Sequence, residues 1–260
     1  MQDEGAKTTS SCAIAVMAKA SIPGRTKTRL TPPLAPEQAA DLNTAFLRDV
    51  ADNLLAAVAL ASISPWMAYA PAGSQDFFAR ILPDGVSLLE TTAPDFGACL
   101  YRASTSLLAA GHESVCLLNS DSPTLPTGYL VAAATALAAP GDRVVLGPAT
   151  DGGYYLIGIK QPHRRLFQDV DWSTERVFRQ TLARAEELGL PVVVLPSWYD
   201  VDCEDALHVL IGELIEGRPF RAVGSKPTGA RFTLRYLMRL LETTGLAVNP
   251  APASRSSLVA

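Results

Sequence analysis

The chain lacks most of the motifs that would identify a function at once. Its four cysteines, Cys12, Cys99, Cys116 and Cys203, are scattered with no C-x-x-C spacing, so neither a zinc ligand set nor a disulfide framework is indicated. His112, His163 and His208 form no metal-ligand spacing. No run approaches the roughly 18 uninterrupted apolar residues of a membrane span. The first ten residues, MQDEGAKTTS, carry Asp3 and Glu4 ahead of only a short apolar run, which argues against a secretory signal and for a cytoplasmic protein. G-x-S-x-G and G-x-G-x-x-G are absent, which removes the serine-hydrolase elbow and the dinucleotide fingerprint. GRTKT at 24–28 lacks the glycine that a Walker A loop needs before Lys27. The most useful absence is local. Between Glu4 and Glu37 there is no acidic residue, although the 260-residue chain carries a formal charge of -4.

That acid-free stretch holds Lys19, Gly24, Arg25, Lys27 and Arg29 directly behind the apolar run CAIAVMA at 12–18. Positive charge, a glycine and backbone amides behind a buried strand suit a ligand with several phosphate charges. A solvated basic loop is the plainer alternative. Nucleic acid would call for charge spread over a face, and an acidic chain with one local cluster does not offer it.

Candidate strands fall at 12–18, 65–70, 86–90, 114–119, 143–147, 154–159 and 191–195, and most are continuous apolar runs, as expected for strands covered on both faces. Helical patterns fall at 36–60, 97–110, 126–138, 174–188 and 203–216. The alternation predicts an α/β protein, a three-layer α/β/α sandwich with a mostly parallel sheet. Two strands flank Asp151-Gly152-Gly153 with no helix between them, so the sheet should be mixed. The domain reading is a tail at 1–11, one domain at 12–220, a helical extension at 221–245 and a disordered tail at 246–260. In the extension, Leu234, Leu237, Met238 and Leu241 share a helical face, which suits docking on the chain's own domain, an oligomer contact or a membrane surface.

In an open α/β sheet, ligands bind beyond the carboxyl ends of the strands. Besides 19–29, three loops there carry chemistry. Asp121 in NSDSPTL reads equally as a ligand for a hard divalent cation or as a turn or helix-capping residue. Asp202 in DVDCED is a second metal ligand, the N-cap of the helix at 203–216, or both. Asp151 belongs to a turn that forms hairpins readily, yet Gly152 and Gly153 would also let backbone approach a ligand, with Asp151 as general base.

Together AVMAKASIPGRTKTRL, LLNSDSPTLP, VVLGPATDGGYYLIGI, LFQDVDWSTERV and DVDCEDAL, in this order, resemble the DUF2064 family over about residues 12–215. These are bacterial glycosyltransferases of GT-A (nucleotide-diphospho-sugar transferase) type, distantly similar to molybdenum-cofactor and phospholactate nucleotidyltransferases. The resemblance implies that Lys19, Arg25, Lys27 and Arg29 face a diphosphate and that Asp121 and Asp202 hold Mg²⁺ or Mn²⁺. It also implies that Asp151, Gly152, Gly153, Trp172, Ser173 and Thr174 border the sugar or acceptor. One departure stands out: an L-G-E-R-like stretch of the family is replaced by Asp95-Phe96-Gly97-Ala98-Cys99. The implied reaction moves a sugar from a nucleotide sugar to a small acceptor, with a nucleotidyltransferase and a non-catalytic nucleotide binder as rivals.

Overall fold

The computed structural model describes residues 11–220 and 226–244. Seven strands form one sheet in the order β3-β2-β1-β4-β6-β5-β7. They are β1 (Cys12–Lys19), β2 (Ile63–Ala70), β3 (Ser87–Glu90), β4 (Ser114–Asn119), β5 (Val144–Pro148), β6 (Tyr154–Ile159) and β7 (Val192–Val194). All neighbouring pairs are parallel except those made by β6, which runs antiparallel to both β4 and β5. The expected hairpin around Asp151 supplies that reversed strand, and Val144 pairs with Ile159 at its far end.

Alternation along β1 assigns its two faces. Ile14 and Val16 enter one core with Leu42, Phe46 and Leu54 of α1 (Pro36–Val58). The same core takes in Tyr129 and Leu137 of α4 (Thr127–Ala138) and Leu207 and Leu210 of α6 (Glu204–Leu214). Ala13 and Ala15 enter the other, with Leu100 and Leu107 of α3 (Phe96–Ala109) and Ala185 of α5 (Val177–Glu187). Period-two side-chain direction on a strand covered by helices on both sides thus gives the three expected layers. A short helix absent from the sequence reading, α2 (Gln75–Ile81), fits between β2 and β3 and buries Phe78.

The last described helix, α7 (Arg231–Thr244), docks on α1. Its opening N–H groups have no intrahelical partner, and a carboxylate from α1 takes two of them. Asp49 Oδ1 accepts from Phe232 N at 2.9 Å and Asp49 Oδ2 from Thr233 N at 2.7 Å. Leu237 and Leu240 are buried, whereas Met238, expected on the buried face, is 52% exposed. Docking on Asp49 rotates the helix so that Thr233, Leu237 and Leu240 face inward. No described helix is long and apolar enough to cross a membrane. The readings of 1–10, 221–225 and 245–260 lie outside the described residues.

Candidate active site

The strand order turns at β1 and β4, whose crossovers leave in opposite directions, and this is where a doubly wound sheet opens a crevice. A cavity of about 510 Å³ lies there. It gathers residues from every predicted loop: Lys19, Arg25, Lys27 and Arg29 behind β1, Asp121 behind β4, Asp151 and Gly153 from the hairpin. Trp172, Ser173 and Thr174 come from the loop before α5, and Asp202 from the loop before α6. Gly24 and Gly152 do not line it. Gly152, at φ +91°, instead packs against Glu175, whose carbonyl oxygen would lie 2.3 Å from an added Cβ. Its glycine is required by that close approach and by the left-handed backbone.

Backbone and side-chain hydrogen bonds hold the acidic loops together. Val201 N donates to Asp121 O at 2.8 Å, and Ser122 Oγ donates to Tyr199 O at 2.8 Å. The Tyr199 hydroxyl is in turn fixed between Thr124 and Glu213. On the hairpin side, Thr150 N donates to Trp198 O at 3.1 Å, which brings Asp151 toward Asp200. Four carboxylates therefore share one wall: Asp121, Asp151, Asp200 and Asp202.

Two of them converge on one ammonium group. Lys27, in the left-handed region at φ 54°, sends its side chain inward until only 6% of it is exposed. Its Nζ lies 2.7 Å from Asp121 Oδ1 and donates to Asp202 Oδ1 and Val201 O, each at 2.8 Å. The Phe46 ring lies beneath it, with its centroid 5.4 Å away. Arg29 pairs with the other oxygen of Asp202. Burial alone would depress the Lys27 pKa, but Asp121 and Asp202 outweigh it and hold the amine above its usual range. Asp202 is partly buried, yet Lys27 and Arg29 hold it below the usual carboxylate range. Asp121 shares the same lysine without a second cation. Burial and the neighbouring Asp202 charge raise it.

The structure also decides some alternatives left by the sequence. The N-cap of α6 is Cys203, not Asp202, whose carboxylate is committed to Lys27 and Arg29. Asp121 likewise caps no helix: the residue before α4 is Pro126. Asp151 Oδ1 accepts from Gly153 N at 2.9 Å, so its carboxylate shapes the hairpin turn while lining the cavity. By contrast, the exposed side chains of Lys19 and Arg25 have no ion-pair partner among the described residues.

Two contributors were not singled out from sequence. Asp200 lies in the acidic wall, and burial first, then Asp151, Asp202 and Asp121, push its pKa up to about 7. The alternation in DVD was a usable signal, because residues two apart on an extended chain point the same way. Phe96, 49% exposed, meets Trp172 edge to face at 5.2 Å on the cavity rim. Its neighbour Gly97 permits that contact, since an added Cβ would lie 2.5 Å from Phe167 O and 2.9 Å from Trp172 Nε1.

The oxygen donors suit a hard divalent cation. Two carboxylates and the Val201 carbonyl all point at the position of the Lys27 ammonium. Among the described residues no group of three or more His, Cys, Asp or Glu side chains is placed to hold a metal, so a cation here would rest on the carboxylate pair and on oxygens from outside the side chains. Mg²⁺ commonly takes one or two carboxylates and completes its shell with phosphate and water.

The profile of the family described as "Uncharacterized protein conserved in bacteria (DUF2064)" matches residues 53–174. The resemblance read from the motifs is thereby supported. The fold is shared with a candidate nucleotide-diphospho-sugar transferase from Desulfovibrio desulfuricans, at 26% identity and a TM-score of 0.72, over 90% of this chain and 97% of that one. A CMP:2-keto-3-deoxy-manno-octonic acid synthetase complexed with CTP aligns at 11% identity and a TM-score of 0.50, over 80% of this chain and all of the other. A cytidylyltransferase from Leptospira borgpetersenii aligns at 10% and 0.50, over 94% and 99% of the two chains. At the latter identities the likeness is one of fold. No curated protein matches the chain by sequence. The expected GT-A-like α/β architecture is confirmed, and the reading as a transferase-type enzyme agrees with these neighbours.

Proposed function

We propose that the protein transfers a sugar from a nucleotide-diphosphate sugar to the hydroxyl of a small acceptor. The observation that carries this reading is the division of charge in the cavity. Exposed Lys19 and Arg25, which have no ion-pair partner among the described residues, line it together with the carboxylates Asp121, Asp151, Asp200 and Asp202. Negative charge develops on the diphosphate as the glycosidic bond breaks. Lys19 and Arg25, with Arg29 at the rim, bring positive charge to the place where that charge appears, and charge supplied there stabilises the transition state.

Asp151, exposed at the cavity edge, takes the acceptor hydroxyl proton as the acceptor oxygen bonds to the anomeric carbon. The bond between that carbon and the diphosphate oxygen breaks, and its electron pair leaves with the nucleoside diphosphate. Gly153, Ser173 and Thr174 border the acceptor, and the edge-to-face pair of Phe96 and Trp172 walls it from solvent. Asp121 and Asp202 are the residues that would hold Mg²⁺ or Mn²⁺, which when bound would neutralise the departing diphosphate.

Incubation with UDP-, GDP- and ADP-sugars and small hydroxylated acceptors tests the reading, with nucleoside diphosphate release as the signal. Release that depends on both donor and acceptor supports it. Pyrophosphate release from an NTP, with no donor sugar consumed, would replace it with nucleotidyl transfer. Nucleotide binding that ignores added metal, with no turnover at all, would make the protein a binder.

A further inference from the structure

A primary ammonium has three N–H donors. Those of Lys27 meet three oxygens, Asp121 Oδ1, Asp202 Oδ1 and Val201 O, at 2.7 to 2.8 Å. The group is buried, and its hydrogen-bonding capacity is filled. It cannot grip a phosphate while it stays there. The same three oxygens are the hard donors that the cavity offers to a divalent cation, and they converge on the point that Nζ holds. Two cations cannot occupy one point.

We infer that Lys27 and a divalent cation occupy this oxygen cradle alternately, with Lys27 as the resident counter-ion that is released toward the diphosphate when the metal enters. The inference rests on reading the cavity as a nucleotide-diphosphate site. Without the lysine, Asp121 and Asp202 would face each other as like charges in a partly buried setting, which is costly. With it, the carboxylates are held in place before any ligand arrives. Lysine suits the exchange because its charge sits on a flexible four-carbon stem. The left-handed Lys27 backbone lies on the same loop as Arg25 and Arg29, so a released ammonium joins the cationic side of the cavity. Lys27 is in this account a positioning residue in the free protein and a phosphate ligand only after exchange.

The test needs no nucleotide, so its result is separable from the identity of the donor. In protein labelled with ¹⁵N-lysine, the Lys27 ammonium should give a slowly exchanging resonance, assigned through its contact with Val201. Titration with Mg²⁺ alone should remove that resonance as the metal binds. Its persistence throughout the titration would overturn the inference. In parallel, Mn²⁺ affinity of Lys27→Met, read from the free-ion signal in electron paramagnetic resonance, should be at least about tenfold tighter than wild type. Equal or weaker affinity in a variant with wild-type circular dichroism would also overturn it. Should Lys27→Met not fold, the wild-type titration still decides.

Discussion

The cavity's basic and acidic residues hold their charge differently. On the basic side Lys19 and Arg25 are exposed and have no ion-pair partner among the described residues, so their charge is available to a ligand. On the acidic side Asp121 and Asp202 are already bound to Lys27 and Arg29, so their charge is positioned but occupied. Free charge recruits. Paired charge is costly to break, and it is set in place before the ligand arrives. Lys27, counted from sequence among the phosphate-facing cations, belongs structurally to the acidic side.

The largest effect expected from disturbing this contrast is on turnover. Asp121→Asn removes a charge from the acidic side while keeping its shape, and donor turnover should fall on the order of 100- to 1,000-fold, measured as nucleoside diphosphate release. Next comes stability. Lys27→Met strands two carboxylates that are each only about a quarter exposed, and should lower unfolding free energy by on the order of 3 kcal/mol in a urea titration.

The matching change on the basic side should do the reverse. Lys19→Met or Arg25→Met leaves stability within about 0.5 kcal/mol. Each should weaken pyrophosphate binding by roughly tenfold in calorimetry, as the loss of one charge-assisted contact implies. Equal destabilisation by Lys19→Met and Lys27→Met would erase the distinction between the two sides.

The remaining effect is a pH slope, read in its direction. Asp200 has a folded pKa of about 7, above its unfolded value of roughly 4. Between these values the folded state binds the extra proton, so stability falls as pH rises and the loss is complete above about pH 7. Asp200→Asn should flatten that segment of a stability-pH profile and leave the protein relatively more stable at neutral pH.

The central strands were legible because burial on both faces turns each into an apolar run, as SVCLLN at 114–119 shows, and the half-buried edge strands β3 and β7 from short runs of Leu and Val. The reversed strand was legible from Asp151-Gly152-Gly153, where no room for a crossover helix exists. Helix α2 was not, because seven residues with Phe78 as the one buried side chain make no period. Half of the cavity residues could be named, most of them because they lie in loops at strand ends, and Trp172, Ser173 and Thr174 through the family resemblance. Their partners could not. That Lys27 turns inward rests on a left-handed backbone at a non-glycine residue and on a contact 174 residues away, and neither has a local pattern. Asp49 is a similar case. A carboxylate on the inner face of α1 has no reason to be there until α7 brings Phe232 and Thr233 to it.

The central claim is that this crevice grips a nucleoside diphosphate through free cations on one side and a metal-ready carboxylate pair on the other. Calorimetric titration of UDP and GDP, with and without Mn²⁺, into wild type and Asp121→Asn tests it most directly. Saturable binding that strengthens with Mn²⁺ in wild type, and loses that dependence in Asp121→Asn, is the predicted result. Binding of equal strength in all four conditions would contradict it.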